Sequence, residues 1–70
     1  MSDKVLQKVQ REANKLHAQG FPFHADLLLQ AIETGTVAST AERVAIMLEK
    51  GKRYPEAKRV RDLVARTVAL

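Results

Sequence analysis

The side chains of this chain that are best suited to binding chemistry are cations, and they are concentrated in its last third. Seven Lys and Arg residues lie between positions 50 and 70 against two acidic ones, a balance of +5, whereas positions 1–49 carry five basic and six acidic side chains. Cations at this density attract either phosphates or an acidic protein surface.

We predict that a basic C-terminal unit, residues 50–66, is the binding surface. Three cations lie in a short turn beside the only tyrosine, and four more follow in a helical pattern. Backbone N–H groups at a helix start add positive charge, and an aromatic ring stacks on a base or a sugar. A solvated helix face is the plainer alternative. The predicted contact residues are Lys50, Lys52, Arg53, Tyr54, Lys58, Arg59, Arg61 and Arg66.

The turn in this unit also invites comparison with a DNA-reading helix-turn-helix, in which the turn has about 3–4 residues. A recognition helix reads bases with its N-terminal residues. Here Pro55 and Glu56 occupy that place, and an acidic residue there disfavours approach to DNA. The sequence therefore favours contact with the phosphate backbone over readout of bases.

A second candidate contact lies on the third predicted helix, where Ile46 falls among charged residues beside Arg43. Single exposed apolar residues are common, so this feature alone is weak. Together with the basic unit, it supports three hypotheses. The first is a regulator that acts on nucleic acid or transcription-type machinery. The second is a modulator or inhibitor of a host enzyme, of the accessory type that phages and plasmids carry, and the third is a homodimer.

Catalytic and metal chemistry find little support in the sequence. The two histidines, His17 and His24, have no cysteine to join them, and two ligands make a poor zinc site. No spacing places a nucleophile beside a base. We therefore predict no enzymatic activity, no cofactor, no metal site and no small-molecule substrate.

Four amphipathic helices must position these residues. Apolar side chains recur at helical spacing over about 3–18, 22–34, 40–50 and 55–68, with Gly20, Gly35 and Gly51 after the first three segments. No stretch alternates with a period of two, so no sheet is expected. The sequence predicts an all-α fold, a compact bundle of four short helices in a single domain spanning 1–70. The second helix, the most apolar, is expected to be the most buried.

Smaller signals refine these boundaries. Ser2 is the predicted N-cap of the first helix, and Ser39 with Glu42 matches a capping box at the start of the third. At least one of Phe21 and Phe23 is expected in the core, because so small a core needs its aromatics.

The same composition bears on location. No apolar run approaches the ~20 residues that cross a bilayer, and the N-terminus lacks the features of a signal peptide. We therefore predict a soluble, cytoplasmic protein that does not bind membranes.

Overall fold

A computed structural model describes residues 3–68 of the chain, and these residues form four helices. The helices are α1 (Asp3–Ala18), α2 (Pro22–Thr34), α3 (Val37–Lys50) and α4 (Tyr54–Val68). Two or three residues connect each helix to the next, and residues 3–68 contain no strand. The prediction of an all-α bundle of four short helices is confirmed. The predicted N-cap, Ser2, lies outside the described residues.

The first two turns follow the predicted chemistry. Gly20 has φ +92° and Gly35 has φ +73°, a left-handed conformation that glycine adopts without the steric cost of a Cβ. Pro22 occupies the first turn of α2, where its missing N–H has no helical partner to lose. Gly20 therefore sets where α1 ends, Pro22 where α2 begins and Gly35 where α2 ends.

The third helix begins earlier than predicted, so the capping box at Ser39 is wrong. Thr36 is the N-cap residue of α3, and the Ser39 hydroxyl donates a hydrogen bond to the Thr36 carbonyl from inside the helix. Val37 opens the helix and is almost completely buried. Burial of this valine is the physical reason for the additional turn. The fourth helix begins one residue earlier than predicted, at Tyr54.

The four helices close a ring in which each helix packs against two neighbours. Contacts join α1 to α2, α2 to α3, α3 to α4 and α4 to α1, and none crosses the ring. The α1–α4 edge therefore lies opposite the α2–α3 edge. Small side chains fill the centre, namely six alanines, five valines and four leucines: Val5, Val9, Ala13, Leu16, Ala25, Leu28, Ala31, Val37, Ala41, Val44, Ala45, Leu48, Ala57, Val60 and Leu63.

The expectation that α2 is the most buried helix is wrong. It buries three residues, whereas α3 buries five, and Leu29 remains 38% exposed on its surface. The apolar residues of α2 spread around much of the helix, and only one side of it faces the ring. Phe21 packs against the core as expected for one phenylalanine, but Phe23 is 63% exposed.

No helix within the described part of the chain combines the length and apolar content that crossing a membrane requires.

Candidate functional site

The arginine at the middle of the basic unit joins two helices. Arg59 on α4 donates from Nε to the Glu12 carboxylate on α1 at 2.7 Å, and from Nη2 to the Gln19 side-chain oxygen at 2.9 Å. Glu12 is only 7% exposed. A buried carboxylate requires a partner, because an unpaired charge away from water is costly. Arg59 is therefore committed to holding α1 against α4.

A second arginine of α4 is held by α3. Arg61 donates two hydrogen bonds to the Glu49 carboxylate, at 2.7 and 2.6 Å, in the bidentate geometry that suits a guanidinium. These hydrogen bonds lower the pKa of Glu49 and raise that of Arg61. The two side chains are 46% and 36% exposed, so the pair contributes little to the stability of the fold. Its main effect is to offset the charge of Arg61.

The two remaining arginines of the unit are paired within their own segments. Arg53 binds Glu56 at 2.7 Å and lies over the Phe21 ring, 5.0 Å from its centroid. Arg66 binds Asp62, one turn earlier, at 2.9 Å. The pKa of Glu56 is lowered mainly by its own backbone N–H and then by Arg53, and that of Asp62 mainly by its hydrogen bond to Arg66.

These pairs revise the predicted binding surface. All four arginines of the basic unit have a carboxylate partner, and its three lysines, Lys50, Lys52 and Lys58, are exposed and have none among residues 3–68. Four of the seven cations of the unit are therefore offset by neighbouring carboxylates, and three are not. The fold determines which of the unpaired cations lie close together.

Four of the eight cations that have no ion-pair partner among residues 3–68 line a groove between α1 and α4, with a volume of about 620 Å³, which we call the basic groove. Six cations and two carboxylates line it, a balance of +4, with one leucine between them. The lining residues are Lys8, Arg11, Glu12, Lys15, Lys58, Arg59, Arg61, Asp62 and Leu63.

The charge balance of the basic groove equals the net charge of the whole protein. The chain has twelve basic and eight acidic side chains, a net charge of +4, and the lining has the same balance. The six basic and six acidic side chains elsewhere cancel. Within the lining, Arg59 and Arg61 have carboxylate partners. The four other lining cations, Lys8, Arg11, Lys15 and Lys58, have none in the described part of the chain.

Three of these four cations were missed by the sequence prediction. Lys8, Arg11 and Lys15 follow one another at spacings of three and four, which places them on one stripe of α1. That signal is visible in the sequence. Its meaning depends on the packing of α1 beside α4, where Arg59 contacts Glu12 across 47 positions of the chain.

The other predicted nucleic-acid contacts lie at the end of the groove or away from it. Tyr54 is 61% exposed and precedes Lys58 by four residues, so both lie on the same stripe of α4. Lys50 and Lys52 lie near the α3–α4 turn, and neither lines the basic groove. Glu56, at the start of α4, is buried. A carboxylate therefore occupies the place from which a recognition helix would read bases.

The protein-contact residues lie on α3. Ile46 is 40% exposed, and Arg43 lines a second groove, between α2 and α3. That groove lies on the edge of the ring opposite the basic groove.

The two histidines occupy different environments. His17 is exposed, and His24 contacts Phe21 and Phe23 edge-on, with ring centroids 5.4 and 6.2 Å away. Residues 3–68 hold no group of three or more potential metal ligands.

Comparison with known protein families, with curated proteins and with solved structures found no match to this chain. A groove with four free cations on two helices is suited to hold anionic groups spaced along an extended ligand.

Proposed function

We propose that this protein is a non-enzymatic regulator that binds the phosphate backbone of nucleic acid through the basic groove. The proposal keeps the predicted partner and moves the contact surface from the C-terminal unit to the α1–α4 edge. It also places the protein in the cytoplasm, where it would act on nucleic acid or on the transcription-type machinery assembled there.

One observation carries this proposal: four unpaired cations from two helices line a single groove, whose balance of +4 equals the net charge of the protein. Lys8, Arg11 and Lys15 extend over seven residues of α1, about 10 Å at 1.5 Å per residue. One DNA strand presents a phosphate about every 3.4 Å along the helix axis. If α1 lies along the strand, the long, flexible side chains of its three cations can each reach a phosphate, about three in all. Lys58 lines the same groove from α4.

The groove is better suited to the backbone than to bases. Glu12 and Asp62 lie among its cations, and no aromatic side chain lines it. Lysine acts on phosphate as a point charge without the fixed fork that reads a guanine. Tyr54, one turn beyond Lys58, is the one exposed ring on this stripe, so it would add stacking on unpaired bases.

Matched triple variants test the proposal. We would measure fluorescence anisotropy of a labelled 20-base-pair duplex and of a 20-nucleotide single strand at about 50 mM KCl. Lys8→Gln, Arg11→Gln and Lys15→Gln together should weaken binding about 100-fold or more, because about three phosphate contacts are lost. The control replaces Arg43, Lys50 and Lys52 with Gln, which removes the same charge outside the groove.

The control should bind within about threefold of the wild-type protein, since a distant charge acts only through a screened field. Equal losses in both variants would mean that net charge, and not the groove, determines binding. A larger loss in the control would return the contact surface to the α3–α4 turn. Absence of binding by the wild-type protein at low salt would remove the nucleic-acid proposal altogether.

A second candidate function is modulation of a host enzyme through an acidic surface, and the exposure of Ile46 favours it. Carboxylates are attracted to the same cations as phosphates. A complex captured from lysate that survives nuclease treatment, and is lost on Ile46→Asp, would support this function. A complex that disappears with nuclease would support the first proposal.

A further inference from the structure

The second groove, between α2 and α3, has the opposite character and uses none of the residues proposed to bind phosphate. Its volume is about 330 Å³, and Phe23, Leu27, Ala31 and Met47 form its apolar lining. Gln30 and three threonines complete the lining, and Arg43 is its only charged residue. We call this surface the apolar groove.

One large side chain at this groove lies outside the core, whereas Leu27 packs against it. Alanine, valine and leucine alone make up the fully buried apolar set, and Phe23 remains 63% exposed at the edge of the groove. The Phe23 ring therefore adds little to the stability of the monomer and is available to pack against a partner.

The charges around the apolar groove are mixed in sign. Arg43 of α3 lines the groove, and Asp26 and Glu33 of α2 do not. Asp26 follows Phe23 by three residues and Glu33 follows Gln30 by three, so both are exposed neighbours of the lining residues on the helix surface. None of the three has an ion-pair partner among residues 3–68. The basic groove, by contrast, carries an excess of one sign and would repel a copy of itself.

Mixed charge around an apolar groove is what a two-fold interface requires, because the same surface must complement itself. We propose that a second copy of this chain docks on the α2–α3 face. Phe23 of each copy enters the apolar groove of the other, and Arg43 of each copy faces Asp26 and Glu33 of the other.

The size of the face determines how strong such a dimer can be. Two helices of about 20 Å, packed about 9 Å apart, present roughly 20 by 20 Å of surface. That is about 400 Å² on each copy and about 800 Å² in total, which is less than a stable interface buries and allows only a transient one. We therefore expect a reversible dimer, populated at tens to hundreds of micromolar.

The dimer does not depend on the nucleic-acid proposal, since the two grooves lie on opposite edges of the ring. Dimerisation would leave both basic grooves exposed and facing away from each other. Failure of either proposal therefore leaves the other intact.

Sedimentation equilibrium from 10 µM to 1 mM tests the dimer, with about 0.15 M NaCl to screen nonspecific attraction. The apparent mass should rise from 7.8 kDa toward twice that value. Phe23→Asp should weaken association at least about tenfold, whereas Tyr54→Asp, at an equally exposed ring outside this face, should leave it unchanged. A monomer at 1 mM, or equal effects of the two variants, would overturn the proposal.

A charge-exchange experiment tests the pairing itself. Arg43→Glu alone, and Asp26→Arg with Glu33→Arg, should each self-associate poorly because like charges meet across the two-fold axis. Mixed together, the two variants should form a heterodimer, since every contact then joins opposite charges. A mixture that associates no better than its components would contradict the proposed arrangement. Circular dichroism of each variant would confirm that it remains helical.

Discussion

The two grooves of this small bundle are built on the same ring of helices and differ in what their rims carry. The α1–α4 edge has six cations and two carboxylates, whereas the lining of the α2–α3 edge has one arginine beside Phe23, Leu27 and Met47. Their difference shows that side chains flanking a shared core, rather than the core itself, determine what each edge can bind.

Positive charge has two roles in this protein, pairing between helices and exposure at the basic groove. Arginines of α4 reach carboxylates on other helices, as Arg59 does with Glu12 and Arg61 with Glu49. Most of the free cations at the basic groove are lysines, which hold water well and pair loosely. Arginine therefore contributes chiefly to assembly of the fold here, and lysine supplies most of the exposed field.

The largest effect on stability should come from breaking the pair beneath the basic groove. Arg59→Ala leaves the buried Glu12 carboxylate unpaired, at a cost of about 2 kcal/mol in the free energy of unfolding. Phe23→Ala, at the rim of the apolar groove, should cost less than about 0.5 kcal/mol in the monomer, because the ring is already exposed. Thermal unfolding at low protein concentration measures both, with a shift of about 8–16 °C for Arg59→Ala.

Equal unfolding midpoints for these two variants would contradict the proposed difference between the two edges, since both edges would then contribute equally to folding. Glu12→Gln provides a sharper control. It removes the buried charge and keeps a hydrogen-bond acceptor for Arg59, so its cost should be smaller than that of Arg59→Ala.

Smaller effects are expected at the turns that orient the two edges. Gly35, between α2 and α3, has φ +73°, and Gly35→Ala should destabilise the fold by about 1 kcal/mol because alanine resists this conformation. In the α3–α4 turn the left-handed residue is Lys52, at φ +60°, rather than Gly51. Lys52→Gly should therefore stabilise the fold by up to about 1 kcal/mol. Denaturant titration of both variants checks the opposite signs.

If Gly35→Ala and Lys52→Gly changed the free energy of unfolding in the same direction, backbone conformation would not determine stability at these turns. Gly51→Ala is the matched control. Its φ is not left-handed, and an added Cβ would meet only ordinary contacts, so this change should be neutral or slightly stabilising.

The smallest expected effect is a loss of stability at acidic pH. Hydrogen bonds from arginine lower the pKa values of Glu49 and Asp62 below their ordinary 4.5 and 3.8. A carboxylate with a lowered pKa stabilises the fold above its unfolded value and loses that contribution as pH falls through the folded value. The unfolding midpoint should therefore decrease modestly from about pH 5 to pH 3, because exposed pairs contribute little.

Arg61→Gln should make this acid-dependent decrease shallower, since the pKa of Glu49 would return toward its ordinary value. An unchanged pH profile in this variant would show that the exposed pair does not contribute to folding.

Much of the fold could be predicted because helix patterns are local. Apolar spacing and the glycines placed three helix ends correctly, and the boundaries that were missed have tertiary causes. Val37 begins α3 early because it is buried against other helices. The exposure of α2 could not be read from its own composition, because burial depends on which neighbours a helix has.

The candidate site could be predicted less well because its contacts are distant in sequence. The pairs Arg53–Glu56 and Arg66–Asp62 have helical spacings of three and four and were visible in the sequence. Arg59 meets Glu12 across 47 positions, and only the fold reveals that contact. The same contact brings the α1 stripe beside Lys58.

The salt dependence of nucleic-acid binding tests the central claim most directly. If Lys8, Arg11, Lys15 and Lys58 contact about four phosphates, the logarithm of duplex affinity should fall with the logarithm of KCl concentration at a slope of about −3 to −4. Replacing the three α1 cations with Gln should reduce that slope to about −1. A slope near zero in the wild-type protein, or the same slope in both proteins, would contradict the basic groove as the phosphate-binding surface.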